Sequence, residues 1–164
     1  MPKRLFNVLF LCTHNSARSI MAEAILNSIG NGRFRAFSAG SAPGTAPNPL
    51  ALKTLTQNHL PIDSLRSKGW DEFARDGAPV MDLVITVCDD AAGEVCPVWP
   101  GRPTTAHWGV EDPSRFPGDD DDKRCEFRRV ASILARRIGL LADLPVATME
   151  RRELEKKVRE IGRA

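Results

Sequence analysis

The chain has 164 residues, 42% of them hydrophobic, which is enough for one well-buried core and short for two. A net charge of +2, with basic residues intermixed with acids rather than interleaved with aromatics, does not single out nucleic acid as a partner. No stretch approaches the roughly 20 apolar residues of a membrane-spanning helix, so no membrane role is expected.

Lys3 and Arg4 precede an apolar run, Leu5 to Leu11, that is short for a secretion signal and is followed by no small-residue cleavage site. The expected location is the cytoplasm, where four cysteines are thiols with a chemical task or buried small side chains rather than disulfides. Phe6 to Leu11 is the first predicted strand. "VLFLCTHNSARSIMAEAIL" then turns at Cys12 into a helical pattern, Ser19 to Ile29, stopped by Gly30, Asn31 and Gly32. Phe34 to Ser38 is a second strand, and Pro49 to Asn58 a helix with Asn48 and Pro49 as start signals. Strands follow at Leu83 to Val87 and, more weakly, at Thr104 to Trp108.

The longest helix starts near Asp122 and carries Phe127, Val130, Ile133, Leu134, Ile138 and Leu141 before Leu144-Pro145 ends it; Cys125 within it reads as core. "GDDDDK", Gly118 to Lys123, resembles a protease cleavage signal, but acids at a helix start also favour its positive end. The tail after Ala147 has Met149, Leu154, Val158 and Ile161 as a thin apolar stripe in a charged helix, docked on the domain or half-solvated. The expected organisation is a domain over 1–146 and a helical tail over 147–164, monomeric or weakly dimeric. Strands that are apolar on both faces and alternate with helices predict a three-layer αβα domain around a four-stranded parallel sheet.

In such sheets ligands gather beyond the carboxyl ends of the strands, where Cys12 stands. Backbone N–H groups at a strand-to-helix turn, aided by the helix's positive end, can hold a phosphate-like oxyanion, and the same donors favour the ionised form of a cysteine placed among them. Thr13, His14, Asn15, Ser16 and Ala17 would form that loop. Asn15 tolerates left-handed backbone, Ser19 can donate to the sulfur, and Arg18 can grip two oxygens at once. Cys96 to Arg102, "CPVWPGR", repeats the cysteine-to-arginine spacing, but Pro97 and Pro100 have no N–H to give.

These residues resemble the low molecular weight protein tyrosine phosphatase family, whose loop has the Cys-x5-Arg-Ser form near the N-terminus. The resemblance runs to about Leu144 and includes "EDPS", where Asp112-Pro113 matches the family's general acid. In the phosphatases a tyrosine typically follows that Asp-Pro; here Ser114 and Arg115 follow, and the chain has no tyrosine. "TVCDDAAGEVCPVWP" and "AHWGVEDP" instead resemble the arsenate reductases of the family. That resemblance implies attack by Cys12 on arsenic, with Arg18 holding oxygens and Asp112 helping a hydroxyl leave. Cys88 then attacks Cys12, Cys96 attacks Cys88, and no bound cofactor takes part.

Phosphate would compete as an oxyanion. The implied reductant is thioredoxin, or glutathione with glutaredoxin. Relatives coupled to thioredoxin place six residues between the second and third cysteines, whereas seven intervene here. His14, where the family often has glycine, reads as solvent-facing. Some of the reductases bind potassium beside the loop through an acidic residue; this chain has Lys68 there, with its ammonium expected to reach Asn15, Glu23 or Ser38 and no metal to be held. A phosphatase acting on phosphate monoesters is the alternative enzyme. A protein that holds the anion without turnover is the third reading, against which the proton donor Asp112 weighs.

Overall fold

The computed structural model describes residues 4–30, 32–87 and 99–164. Cys88 and Cys96 lie outside them. Four strands, β1 (Phe6–Cys12), β2 (Phe34–Gly40), β3 (Leu83–Thr86) and β4 (Thr104–His107), form one parallel sheet in the order β2-β1-β3-β4. The order reverses at β1, which puts the carboxyl end of that strand, Cys12, where the two halves of the sheet diverge. The register pairs Cys12 with Gly40 and Leu11 with Thr86.

β1 is central because it is apolar on both faces. Val8 and Phe10 join the larger core with α1 (Arg18–Ile29), α2 (Pro49–Gln57), α3 (Asp120–Ala142) and α4 (Arg151–Ile161). Leu9 and Leu11 point the other way, into a smaller core with Phe73, Met81, Val84 and Trp99. Each of these side chains is worth about 1.5–3 kcal/mol of burial. The described part of that second face is closed by the 3-10 turn Trp70–Phe73 and the segments around it rather than by a long helix. The predicted three-layer parallel sheet is the architecture found.

Helix α3 begins at Asp120, two residues before the expected start. Asp119 caps it, accepting from the Asp122 amide at 2.9 Å, and Asp122 returns a bond to the Asp119 amide at 3.1 Å. "GDDDDK" is thus a helix start with its acids on the positive end. Cys125, expected in the core, is exposed. The buried face of α3 runs through Glu126, Phe127, Val130, Leu134 and Ile138, and Cys125 precedes Phe127 by about 200° of helix rotation, out of that stripe. The tail forms α4, whose Leu154, Val158 and Ile161 enter the larger core, and the Val158 carbonyl accepts the indole N–H of fully buried Trp108 at 2.8 Å.

Candidate active site

Cys12 ends β1 and α1 starts at Arg18, so residues 13–17 must reverse the chain in a tight loop. Asn15 makes this possible with φ +48°, a left-handed conformation that asparagine tolerates. Three carbonyls of the loop are taken by amides of the segment that follows β2. Thr13 accepts from the Ala42 amide (2.8 Å), His14 from Gly44 (3.0 Å) and Ser16 from Asn48 (2.8 Å). In a trans peptide the following N–H points opposite to the carbonyl, so the amides of His14, Asn15 and Ala17 point away from the groups that hold those carbonyls. α1 has no side-chain cap and no acid in its first turn, which leaves its positive end unneutralised by its own residues.

The thiol is 2% exposed, with Sγ 2.8 Å from Ser19 Oγ. The direction of that bond follows from the neighbours. The Lys68 amide donates to Asn15 Oδ1 (2.9 Å), which leaves Asn15 Nδ2 to donate to Ser19 Oγ (2.8 Å), and the Ser19 hydroxyl proton is then free to face the sulfur. Ser67 Oγ donates to the Asn15 carbonyl at 2.6 Å, so Asn15 is held at both ends. His14 is exposed, as expected, with Nδ1 3.1 Å from the Ala42 carbonyl.

Behind the loop lies a buried charged cluster. Ser38 donates to Glu23 Oε1 at 2.5 Å, and the Lys68 ammonium stands 3.6 Å from the same oxygen while donating to the Arg66 carbonyl at 2.9 Å. Burial pushes the Lys68 ammonium below its usual range, an effect opposed by the Glu23 charge. Lys68 is 9% exposed and its ammonium sits against the carboxylate that a monovalent cation would need. The residues here do not fit a further cation.

Over the other side stands the turn after β4. Arg18 Nη1 donates to the Val110 carbonyl (3.1 Å), and Nη2 lies 3.7 Å from Asp112 Oδ2. Asp112 caps the 3-10 turn Pro113–Arg115; its Oδ1 accepts from the Ser114 amide (3.0 Å) and hydroxyl (2.7 Å), which aims Oδ2 at Arg18. Arg115 Nε, on an exposed side chain, is 3.8 Å from that same oxygen. Cys12, Arg18, Ser19 and Asp112, more than 90 residues apart in sequence at the extremes, are thereby gathered at one end of the sheet.

Two positioning residues carry no sequence signal read above. Gly40, at the end of β2, is one: a Cβ there would lie 2.5 Å from the Thr13 carbonyl oxygen, 2.9 Å from the Asn15 nitrogen and 3.0 Å from the Cys12 carbonyl oxygen. Ser67 is the other. The register Cys12↔Gly40 is what brings the glycine against the loop, and a glycine at the end of a predicted strand beside the loop-bearing strand is the clue that could have found it.

Comparison with known proteins gives the family of the chain. Residues 7–160 match the family described as low molecular weight phosphotyrosine protein phosphatase, and the chain belongs to that family. Within it, the chain aligns with the arsenate reductase of Halalkalibacterium halodurans at 36% identity over 137 residues, 83% of this chain and 94% of that one. A solved arsenate reductase in the phosphate binding state is similar at TM-score 0.69 and 26% identity, over 84% of this chain and 97% of that one. The Corynebacterium glutamicum thioredoxin-dependent arsenate reductase is similar at TM-score 0.57 and 25% identity, over 86% of this chain and 65% of that one.

Proposed function

We propose that the chain reduces arsenate to arsenite, with Cys12 as nucleophile. The observation that carries this is a buried thiol 2.8 Å from Ser19 Oγ at an uncapped α1 N-terminus, beside a loop whose Thr13, His14 and Ser16 carbonyls are held by the amides of Ala42, Gly44 and Asn48, so that the amides following them point the opposite way. A tetrahedral oxyanion fits such donors.

The Cys12 thiolate forms a bond to As(V), and Asp112 gives a proton to the hydroxyl that leaves as water. Cys88 attacks the Cys12 sulfur; the S–As bond breaks, its electron pair stays on arsenic, and As(III) departs as arsenite while a Cys12–Cys88 disulfide forms. Cys96 then attacks Cys88, which frees Cys12 and moves the disulfide outward for an external dithiol to reduce. Thioredoxin is the preferred reductant, because the similar Corynebacterium enzyme carries that dependence in its name; the seven-residue spacing between Cys88 and Cys96 keeps glutathione with glutaredoxin as the competing donor. A relay of free thiols needs a reducing compartment, which favours the cytoplasm. Lys68 supplies, as a fixed ammonium, the positive charge beside Glu23, and its backbone amide holds the Asn15 end of the loop.

The test is arsenite production with thioredoxin and its reductase and, separately, with glutathione and glutaredoxin, for wild type, Cys88→Ser and Cys96→Ser, beside hydrolysis of an aryl phosphate. Turnover that needs both cysteines under thioredoxin supports the three-thiol relay. Dependence on glutathione with Cys96 dispensable assigns the last step to an external thiol. Ester hydrolysis without arsenite in either system would make the protein a phosphatase.

A further inference from the structure

Arg137 lies on the buried face of α3 and is 9% exposed. Its Nη1 donates to the Gly109 carbonyl at 3.2 Å, its Nε is buried without a partner, and no carboxylate pairs with it among the described residues. Its neighbour Arg129 shows the usual arrangement, with its guanidinium on Glu126. A guanidinium on a buried helix face whose Nε has no partner and whose Nη1 has one carbonyl is costly to place there, and an apolar side chain of similar length would fill the site at lower cost. Burial and the charge of Arg136 both push the group below its ordinary range.

What it holds is the turn that carries Asp112. Gly109 and Val110 present consecutive carbonyls, the first to Arg137 from α3 and the second to Arg18 from α1, and the Val110 amide donates to the Val87 carbonyl at 3.1 Å. The two guanidiniums differ in one respect. Arg18 belongs to the anion site, so a bound oxyanion competes with Val110 and Asp112 for its donors. Arg137 makes its one hydrogen bond among the described residues to the turn, and none to the anion site. The exposed Arg129 to Glu111 contact, at 4.0 Å, is too weak to replace it.

We propose that Arg137 is a positioning residue, which keeps the 109–112 turn, and with it the Asp112 carboxyl, in place when Arg18 is drawn to the anion. This rests on the reading of Asp112 as the proton donor. The test is the single-turnover rate constant of arsenite formation, with its dependence on arsenate concentration, for R137M, R137K, D112N and the double variant R137M/D112N. R33M serves as control, since Arg33 also donates to two carbonyls, Ala142 and Leu144, away from the site.

R137M should slow the maximal rate roughly tenfold or more while changing the half-saturating arsenate concentration by less than about twofold, because the loop and Arg18 stay intact. R137K, which can still donate to Gly109, should recover much of the rate. In D112N the further change R137M should have little effect. R33M should lower the melting temperature without slowing the reaction. If D112N slows the reaction and R137M does not, the Arg137 proposal fails and the acid assignment stands. If D112N leaves the rate unchanged, the acid assignment fails, and any effect of R137M then has another origin than the one proposed.

Discussion

Replacing Gly40 with alanine adds one methyl group to the tightest backbone crossing in the site. The Thr13 carbonyl oxygen, 2.5 Å from the new carbon, would have to retreat by about 0.9 Å to reach the 3.4 Å where ordinary contact begins. It is held by the Ala42 amide at 2.8 Å, and the other two close atoms, Asn15 N and the Cys12 carbonyl oxygen, are backbone as well, so no flexible side chain can absorb the strain. Overpacking of this kind costs about 1–3 kcal/mol, or several degrees of melting temperature in a chain of this size. A displacement near 1 Å of the loop that holds the substrate can reduce catalysis by roughly 100-fold. The comparator is Gly139→Ala in α3, where a Cβ meets nothing within 4 Å and the gain in helix propensity is about 0.5–1 kcal/mol. Thermal melts and arsenite production should therefore show G40A less stable and nearly inactive, and G139A slightly more stable and fully active. A G40A protein with wild-type stability and rate would refute the close-crossing argument.

Lys68→Met tests the buried ammonium through pH. The folded protein holds the Lys68 proton less tightly than the unfolded chain, so the unfolded state binds more protons as pH rises towards the usual 10.5 of lysine, and wild type should gain stability relative to K68M over that window. Urea melts at several pH values should give a difference that grows with pH; a flat or falling difference contradicts the burial argument. Exchanging sodium for potassium should leave the wild-type melting temperature and rate unchanged, and a sharp rise with potassium would show that Lys68 does not take a cation's place. At Asn15, alanine should cost about 1–2 kcal/mol for left-handed backbone and more for the orphaned Lys68 amide and Ser19 hydroxyl, whereas glycine should lose only the latter part. Equal destabilisation of N15A and N15G in urea melts would show that the +48° φ carries no strain.

The strands, the Cys12 to Arg18 corner and the Asp112-Pro113 turn were legible in the sequence because each is a local signal: an apolar run, a thiol between strand and helix, an acid before proline. The aspartates read correctly as a helix start, but which of four consecutive acids is the cap is decided only by the reciprocal Asp119–Asp122 bonds, which begin α3 at Asp120, two residues before the expected point. Cys125 is exposed, not core, because the apolar residues near it in sequence lie on a different face of the helix. Gly40, Ser67 and Arg137 act through contacts that span 25 to 52 residues of chain, created by strand register and helix packing, and no spacing rule reports those. Lys68 is an exception, because the resemblance to the reductases draws attention to that position.

The most direct test of the central claim is a single turnover without external reductant. Fully reduced protein, freed of added thiol, is mixed with excess arsenate, and arsenite and remaining free thiols are counted. The account predicts one arsenite per chain and a fall from four free thiols to two, with neither change in Cys12→Ser. Four thiols retained and no arsenite from wild type would contradict it.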